Sequence, residues 1–320
     1  MSVKNSNSSK KIRMSPTCSH WGNYRVESDG EKIISIKNYD VDKEPTDIGQ
    51  SLNDALDKGA RIAQPMVRKS YLQDGTNSDG KGRGKEPFVA VSWDVALDLA
   101  AKAIKDTKDK YSNDAIYGSS YGWASAGRFH HAQSQIHKFL GLCGGYVDSL
   151  NTYSSAAAEV IMNHVTGIPF LLLVREAPSP EEIAKTSKNF VLFGGAAIKN
   201  SQVNAGGIGA HTAIQQLKQL KDAGVNVVNI SPIRDDVISE LDAKWMGIIP
   251  NTDVALMLGL AHTIAINDLI DNDFIDKYTV GFEKFLPYLL GETDGIAKDA
   301  TWAANICGIS AQEIIELALE

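Results

Sequence analysis

The chain is poor in cysteine. Cys18, Cys143 and Cys307 are all it has among 320 residues, and no two stand in Cys-x-x-Cys spacing. That spacing excludes a zinc knuckle or a cysteine-held iron–sulfur cluster built from this chain alone, and isolated thiols fit a reducing compartment. Long apolar runs are missing as well. Phe170-Leu-Leu-Leu-Val174 and Val254-Ala-Leu-Met-Leu258 are far too short to cross a bilayer, so no membrane insertion is expected. No apolar core follows the first cations and no paired-arginine signal occurs, so no secretory leader is visible and the expected location is the cytoplasm.

Surplus positive charge is absent too. Thirty-two Lys and Arg stand against 39 Asp and Glu, and a net charge of −7 argues against a nucleic-acid partner. Lys4, Lys10, Lys11 and Arg13 lie in a Ser/Asn-rich stretch that reads as a frayed tail. Two nucleotide signatures are lacking. Gly206-Gly-Ile-Gly209 does not have G-x-G-x-x-G spacing, and no G-x-x-x-x-G-K-[ST] occurs, which disfavours plain NAD binding and ordinary P-loop chemistry.

What is present is enough apolar residue, 43%, for a large core and more than one folded unit, and 22% charge, which is not a disordered composition. His20 to Lys37 alternates polar and apolar residues around Ser28-Asp-Gly30 and predicts a small β-hairpin. Residues 38–87 read as irregular surface. A β–α–β–α rhythm begins at Phe88. Helices are predicted from Trp93 after a Ser92 cap, over Arg128–Leu142, Ala156–Val165, Ala213–Ala223 and Asp253–Ile266. Strands are predicted at Ala115–Tyr117, Asn189–Phe193 and Val225–Ile230, with Trp245–Ile249 as a further candidate. Ser179-Pro-Glu-Glu182 and Ser310-Ala-Gln-Glu313 are capping boxes. The pattern implies an α/β fold with a parallel sheet covered on both faces. The last helix runs to Glu320 with no stop signal, which is the expectation for a truncated chain.

Ligands of open α/β sheets bind at the carboxyl ends of the strands. Three such ends are rich in Gly, Ser and Asn: 118–127, 194–209 and 231–236. Small residues let backbone N–H groups approach phosphates, so a nucleotide-like ligand is the leading inference. Two strand-to-helix turns, one carrying Tyr121 and Trp123 and the other Ser154, could converge on a ligand. Spacing does not choose between Ser154 as a helix cap and as a hard anionic metal ligand, and its position before a helix favours the cap. Asp253 reads as a cap or a ligand contact, and Lys199 as a phosphate contact or a solvated lysine. His130 and His137 share a helix face and lack a third ligand, which favours ordinary helix histidines.

The chain also resembles the molybdenum S-/N-oxide reductases, the family of dimethyl sulfoxide, trimethylamine N-oxide and biotin sulfoxide reductases. The matching segments are collinear: Ser19-His-Trp-Gly22, Pro65-Met-Val-Arg68, Ser92-Trp-Asp94, Ser120–His131, Gly144-Gly145, Tyr153-Ser154, Asn251–Leu258 with Ala261-His-Thr263, Tyr278–Phe282 and Tyr288–Glu292. The resemblance implies molybdenum held between two molybdopterin guanine dinucleotides, with no iron–sulfur cluster. It implies oxygen-atom transfer from a small S- or N-oxide, with electrons from a donor protein or reductant. On that basis Ser154 is the metal ligand, Tyr121 and Trp123 flank the oxo group, and Lys199, Ser231, Thr252 and Asp253 lie on dinucleotide-cradling loops. The Tyr suggests sulfoxide competence. The chain departs from many relatives at Ala177-Pro-Ser-Pro180 and at Ser231, where an Asp is common.

The expected organisation follows. Residues 1–50 form a tail and small β segment, 51–165 an α/β segment carrying the molybdenum-site loops, and 166–320 a Rossmann-like dinucleotide-cradling domain. Together they are expected to be part of a larger multidomain molybdenum oxidoreductase fold. The alternatives at this point are an inactive cofactor-binding fragment, another molybdenum enzyme such as a hydroxytransferase, or an ordinary nucleotide-dependent enzyme. A periplasmic location is the alternative to the cytoplasm if an export leader lies outside the chain.

Overall fold

The computed structural model describes residues 11–57, 59, 61–120, 131–204 and 206–320. They fall into two compact units: residues up to Ala177 with Gln202–His211, and Pro178–Ser201 with Thr212–Glu320.

The first unit opens with an antiparallel meander of β1 (Arg13–Ser19), β2 (Gly22–Ser28) and β3 (Ile33–Asn38). The β2–β3 pair is the predicted hairpin. β1 escapes sequence reading because almost all of it is exposed and it contains Pro16, which an edge strand tolerates. Tyr24 on β2 is buried and anchors the meander. Its hydroxyl donates to the Thr46 carbonyl at 3.0 Å and accepts from the Gly49 N–H at 3.2 Å. Only glycine fits opposite the ring, since a Cβ on Gly49 would lie 2.4 Å from the Tyr24 Cζ.

The segment Gln202–His211 lies in sequence between stretches of the second unit yet packs within the first. The Asn204 N–H donates to the His20 carbonyl at 2.8 Å, and Asn23 Nδ2 donates to the Gly209 carbonyl at 2.8 Å. The stretch expected to be irregular holds short elements: α1 (Leu52–Asp57), β4 (Met66–Arg68) and α2 (Lys69–Asp74). β4 pairs with β5 (Phe88–Ala90). Then come α3 (Trp93–Tyr111), α4 (Ala132–Leu142), α5 (Ala156–Val165) and α6 (Phe170–Arg175). Ser92 caps α3, accepting from the Val95 N–H at 3.3 Å. α3, α5 and α6 bury no residue.

The second unit is the parallel α/β layer structure. α7 (Pro180–Thr186) begins at the Ser179 cap, which accepts from the Glu182 N–H at 3.2 Å. β6 (Asn189–Phe193), α8 (Ile198–Ser201), α9 (Ala213–Asp222), β7 (Asn226–Ile230) and β8 (Lys244–Met246) follow. The sheet order is β6-β7-β8, parallel throughout. The chain then forms α10 (Asp253–Ile266), α11 (Asn272–Tyr278), α12 (Phe282–Leu289), α13 (Ala300–Cys307) and α14 (Ala311–Leu319).

Alternation along β7 explains why both faces are covered. Val228 and Ile230 belong to a core with Met246 of β8 and with Leu256, Ala303, Cys307 and Ile314 from α10, α13 and α14. Val227 points the other way, to Leu220 and Ile183 of α9 and α7. Each fully buried aliphatic side chain contributes about 1.5–3 kcal/mol. α10 and α13 touch closely, and a Cβ on Gly259 would lie 2.6 Å from the Ala303 Cβ.

Candidate functional site

The two turns read from the sequence are tied at their roots. Ala115–Tyr117, expected as a strand, contributes one parallel bridge, Tyr117 to Val147. The Val147 N–H donates to the Ile116 carbonyl at 2.8 Å, and the Gly118 N–H donates to the Val147 carbonyl at 2.9 Å. Parallel pairing sends the segments after Gly118 and after Val147 out from the same edge. Gly118 is required there, because a Cβ would lie 2.3 Å from Leu140 Cδ1 and 2.7 Å from the Tyr146 ring. Tyr121, Trp123 and His130 lie outside the described residues. Ser154 is exposed, in the turn before α5. It is not the helix cap: that position belongs to Ser155. Ser154 instead sits on a turn framed by Thr152 and Ser155, whose hydroxyls both reach Glu159.

His137 does not look toward a metal cluster. Its ring stacks on Tyr146 with centroids 5.3 Å apart, and Nε2 lies 3.8 Å from Asp148 Oδ1. Among the described residues no group of three His, Cys, Asp or Glu could hold a metal by itself.

The second unit carries a different surface at the carboxyl ends of β6 and β7. Gly194 and Gly195 both have positive φ, and the Gly194 N–H donates to the Ile230 carbonyl at 2.8 Å. The loop after β7 presses against them. The Ala196 N–H donates to the Asp236 carbonyl at 2.6 Å, and a Cβ on Gly195 would lie 2.5 Å from that same oxygen. Beside this crossing lies an open cleft of about 410 Å³, lined by Gly195, Ala196, Asn200, Ser201, Ala213 and Gln216 among others. Pro180, Ile198 and Leu217 complete a mainly apolar lining in which Asn200, Ser201 and Gln216 are the polar side chains, the make-up of a site for a flat ligand with a few polar groups. Lys199 is exposed on α8 and does not line the cleft.

Ser231 is fully buried and its polar atoms face inward. Its hydroxyl donates to Asp236 Oδ2 at 2.9 Å and accepts from the Ile233 N–H at 3.1 Å, while its carbonyl accepts from Trp245 Nε1 at 2.9 Å. Ser231 thus shapes the loop that reaches Gly195. Sequence reading did not single out Asp236 or Asn229. Asn229 is buried between the aliphatic Val228 and Ile230 of β7; its Nδ2 donates to the Arg234 carbonyl at 3.3 Å, and its Oδ1 has no partner among the described residues. A polar residue inside Val227-Val-Asn-Ile230 is the sequence signal that marks it. Thr252 is the N-cap position of α10, but its hydroxyl donates back to the Ile249 carbonyl at 2.6 Å. No side chain caps α10, and Asp253 stands in its first turn, where a carboxylate favours the helix dipole.

The chain's likeness to known proteins bears on both surfaces. Residues 61–308 match the family described as molybdopterin oxidoreductase. The dimethyl sulfoxide/trimethylamine N-oxide reductase of Rhodobacter capsulatus is 40% identical over 94% of this chain and 36% of its own length. The biotin sulfoxide reductase of Cereibacter sphaeroides is 41% identical over 89% of this chain and 38% of its own. The trimethylamine-N-oxide reductase of Pasteurella multocida is 38% identical over 94% and 37%. The chain therefore spans 36–38% of the length of these relatives. In fold it is similar to acetylene hydratase from Pelobacter acetylenicus, with a TM-score of 0.54, 19% identity, and coverage of 95% of this chain and 38% of that one. A match running through most of both units leaves one assignment: the chain belongs to the molybdopterin oxidoreductase family.

Proposed function

We propose that this chain is the part of an S-/N-oxide reductase that presents the metal-ligating serine and cradles one nucleotide of a bis-molybdopterin guanine dinucleotide. The overall reaction takes a sulfoxide or N-oxide, two electrons and two protons to the sulfide or amine and water. A donor protein or reductant supplies the electrons. When bound, the molybdenum pterin provides the redox chemistry, and the protein orients and tunes it.

The observation that carries this reading is the parallel pairing of Tyr117 with Val147, which supports a common edge for the segments that follow Gly118 and Val147. The residues fit the cofactor in two further respects. Ser154 is exposed on its turn, where its oxygen would be open to a metal that brings its own sulfur ligands. The cleft beside Gly195 has room for a flat group beside Asn200, Ser201 and Gln216, and the N-terminus of α10 at Thr252-Asp253 has no side-chain cap. In this reading the Ser154 oxygen, once deprotonated, holds the metal. The Tyr121 O–H would donate to the oxide oxygen, and the Trp123 N–H would supply a second donor. Losing one such donor costs ~10²–10³ in rate. Lys199, Ser231, Thr252 and Asp253 belong to the loops around the nucleotide, with Ser231 acting through loop shape. The absence of an iron–sulfur cluster stays part of the proposal.

The test is the composition of the purified protein carrying this chain. Molybdenum and released guanosine monophosphate in a 1:2 ratio, with turnover of dimethyl sulfoxide, methionine sulfoxide or trimethylamine N-oxide, is the expected result. Retention of NAD or ATP with no molybdenum contradicts it. One observation favours a second reading, in which the chain binds nucleotide without turnover: the described residues hold one parallel-sheet unit, whereas the cofactor has two nucleotides. Nucleotide retention with no molybdenum and no oxide reduction would establish that reading.

A further inference from the structure

Ser154 lies on a turn closed by three side chains that sequence reading did not single out. The Ser155 N–H donates to Thr152 Oγ1 at 3.3 Å, closing the turn across Tyr153 and Ser154. Ser155 Oγ donates to Glu159 Oε1 at 2.7 Å, and Thr152 Oγ1 donates to the same oxygen at 3.0 Å. The two hydroxyls are 3.0 Å apart. Each hydroxyl has one proton to give, so one carboxylate oxygen takes both. A carboxylate oxygen can accept twice, and hydrogen bonds to an ionised acceptor are about twice as strong as neutral ones.

The backbone brackets the same turn. Asn151, just upstream, has φ +62°, a left-handed conformation that Asn tolerates better than most residues. Downstream, the Glu159 N–H donates to the Ser155 carbonyl at 2.8 Å, the first bond of α5. The turn is therefore fixed to the helix at both ends, while Ser154 is exposed between the fixed points. Ser155 does not cap α5 with its hydroxyl, because that hydroxyl is committed to Glu159.

We propose that Glu159 is a positioning residue for Ser154. It gathers Thr152 and Ser155 into a clamp that holds the turn in one conformation, so the Ser154 oxygen meets the metal without an ordering cost. The inference rests on the reading of Ser154 as the metal ligand. Glu159→Ala removes the shared acceptor. Glu159→Gln keeps a carbonyl oxygen that accepts both hydroxyls and restores the clamp.

Two readouts separate the clamp from the ligand reading. The first is hydrogen exchange at the Ser155 amide in the chain without cofactor. Glu159→Ala should speed it about tenfold or more, as expected for losing hydrogen bonds to a charged group, while amides at the end of α5 stay as protected as before. Glu159→Gln should return most of the protection. The second is molybdenum X-ray absorption of the loaded protein, where Glu159→Ala should weaken or disorder the protein oxygen ligand and Glu159→Gln should restore it. Unchanged exchange at Ser155 in Glu159→Ala overturns the clamp alone. So does a metal signature identical to wild type in that variant. A Ser154→Ala control with wild-type coordination overturns both the ligand reading and the positioning role.

Discussion

His211 and Asp42 form a buried pair: His211 Nδ1 lies 2.7 Å from Asp42 Oδ2, and the two side chains are 3% and 2% exposed. The His211 backbone N–H also donates to Asp42 Oδ1 at 3.0 Å, so one carboxylate holds both the ring and the main chain of the segment Gln202–His211. The far ring nitrogen, Nε2, is 3.3 Å from the Gln202 carbonyl, which ties the two ends of that segment together. Together with the Asn204–His20 and Asn23–Gly209 hydrogen bonds, this pair fastens the segment to the first unit, where buried apolar residues are few among the described residues.

Asp42→Asn should therefore be costly, on the order of 3 kcal/mol, because it removes a buried charged acceptor that takes hydrogen bonds from the His211 ring and backbone. Burial works to raise the Asp42 pKa, but hydrogen bonds from the His211 side chain and backbone and from the Glu44 N–H outweigh it and hold the carboxyl below its ordinary value. A lowered carboxyl pKa stabilises the fold above the unfolded value of about 3.9 and loses that contribution as pH falls through the folded one. Exchange at the His211 amide should be insensitive to opening at neutral pH and should lose protection below about pH 4. In Asp42→Asn the added loss below about pH 4 should vanish.

Gly195→Ala should damage the crossing of the two loops beside the cleft. The residue has φ +75°, and the new Cβ would lie 2.5 Å from the Asp236 carbonyl oxygen. The left-handed backbone alone costs about 1–2 kcal/mol for a non-glycine residue. Calorimetry should register that destabilisation, and guanosine monophosphate released from the purified variant should fall below the wild-type amount.

Ser310→Ala tests a local feature with no bearing on the cofactor. Ser310 Oγ accepts from the Glu313 N–H at 3.3 Å, and Glu313 Oε2 accepts from the Ser310 N–H at 3.2 Å, a complete capping box. Its loss should cost about 1 kcal/mol in chemical denaturation and leave nucleotide content unchanged.

Tyr121→Phe should change the ratio of sulfoxide to N-oxide turnover, since the proposed function makes the Tyr121 hydroxyl a donor to the oxide oxygen. The ratio is read from steady-state rates on dimethyl sulfoxide and trimethylamine N-oxide. An unchanged ratio removes Tyr121 from the mechanism.

Elements that bury a continuous apolar strip were legible. Asn189–Phe193 and Asp253–Ile266 stand where periodicity put them, because their side chains enter cores that the sequence pattern encodes directly. β1 was not legible, since an exposed edge strand with Pro16 has no burial to imprint alternation. Ala115–Tyr117 shrank to one bridge, because a short apolar run does not announce its partner. The His211–Asp42 pair joins positions 169 residues apart, which no local pattern signals. At the site, the Gly194-Gly195 turn followed from composition. Ser154 did not behave as the cap its position suggested, because the neighbouring Ser155 holds that place. The inward hydroxyl of Ser231 depends on Asp236 and Trp245, whose approach is tertiary.

The most direct measurement is molybdenum X-ray absorption of the loaded protein, comparing wild type with Ser154→Ala. Ser154 is exposed on its turn, so the substitution should leave unfolding within about 0.5 kcal/mol of wild type. The account predicts loss of one oxygen ligand at the metal and collapse of oxide reduction. Identical coordination with normal turnover in Ser154→Ala would contradict it.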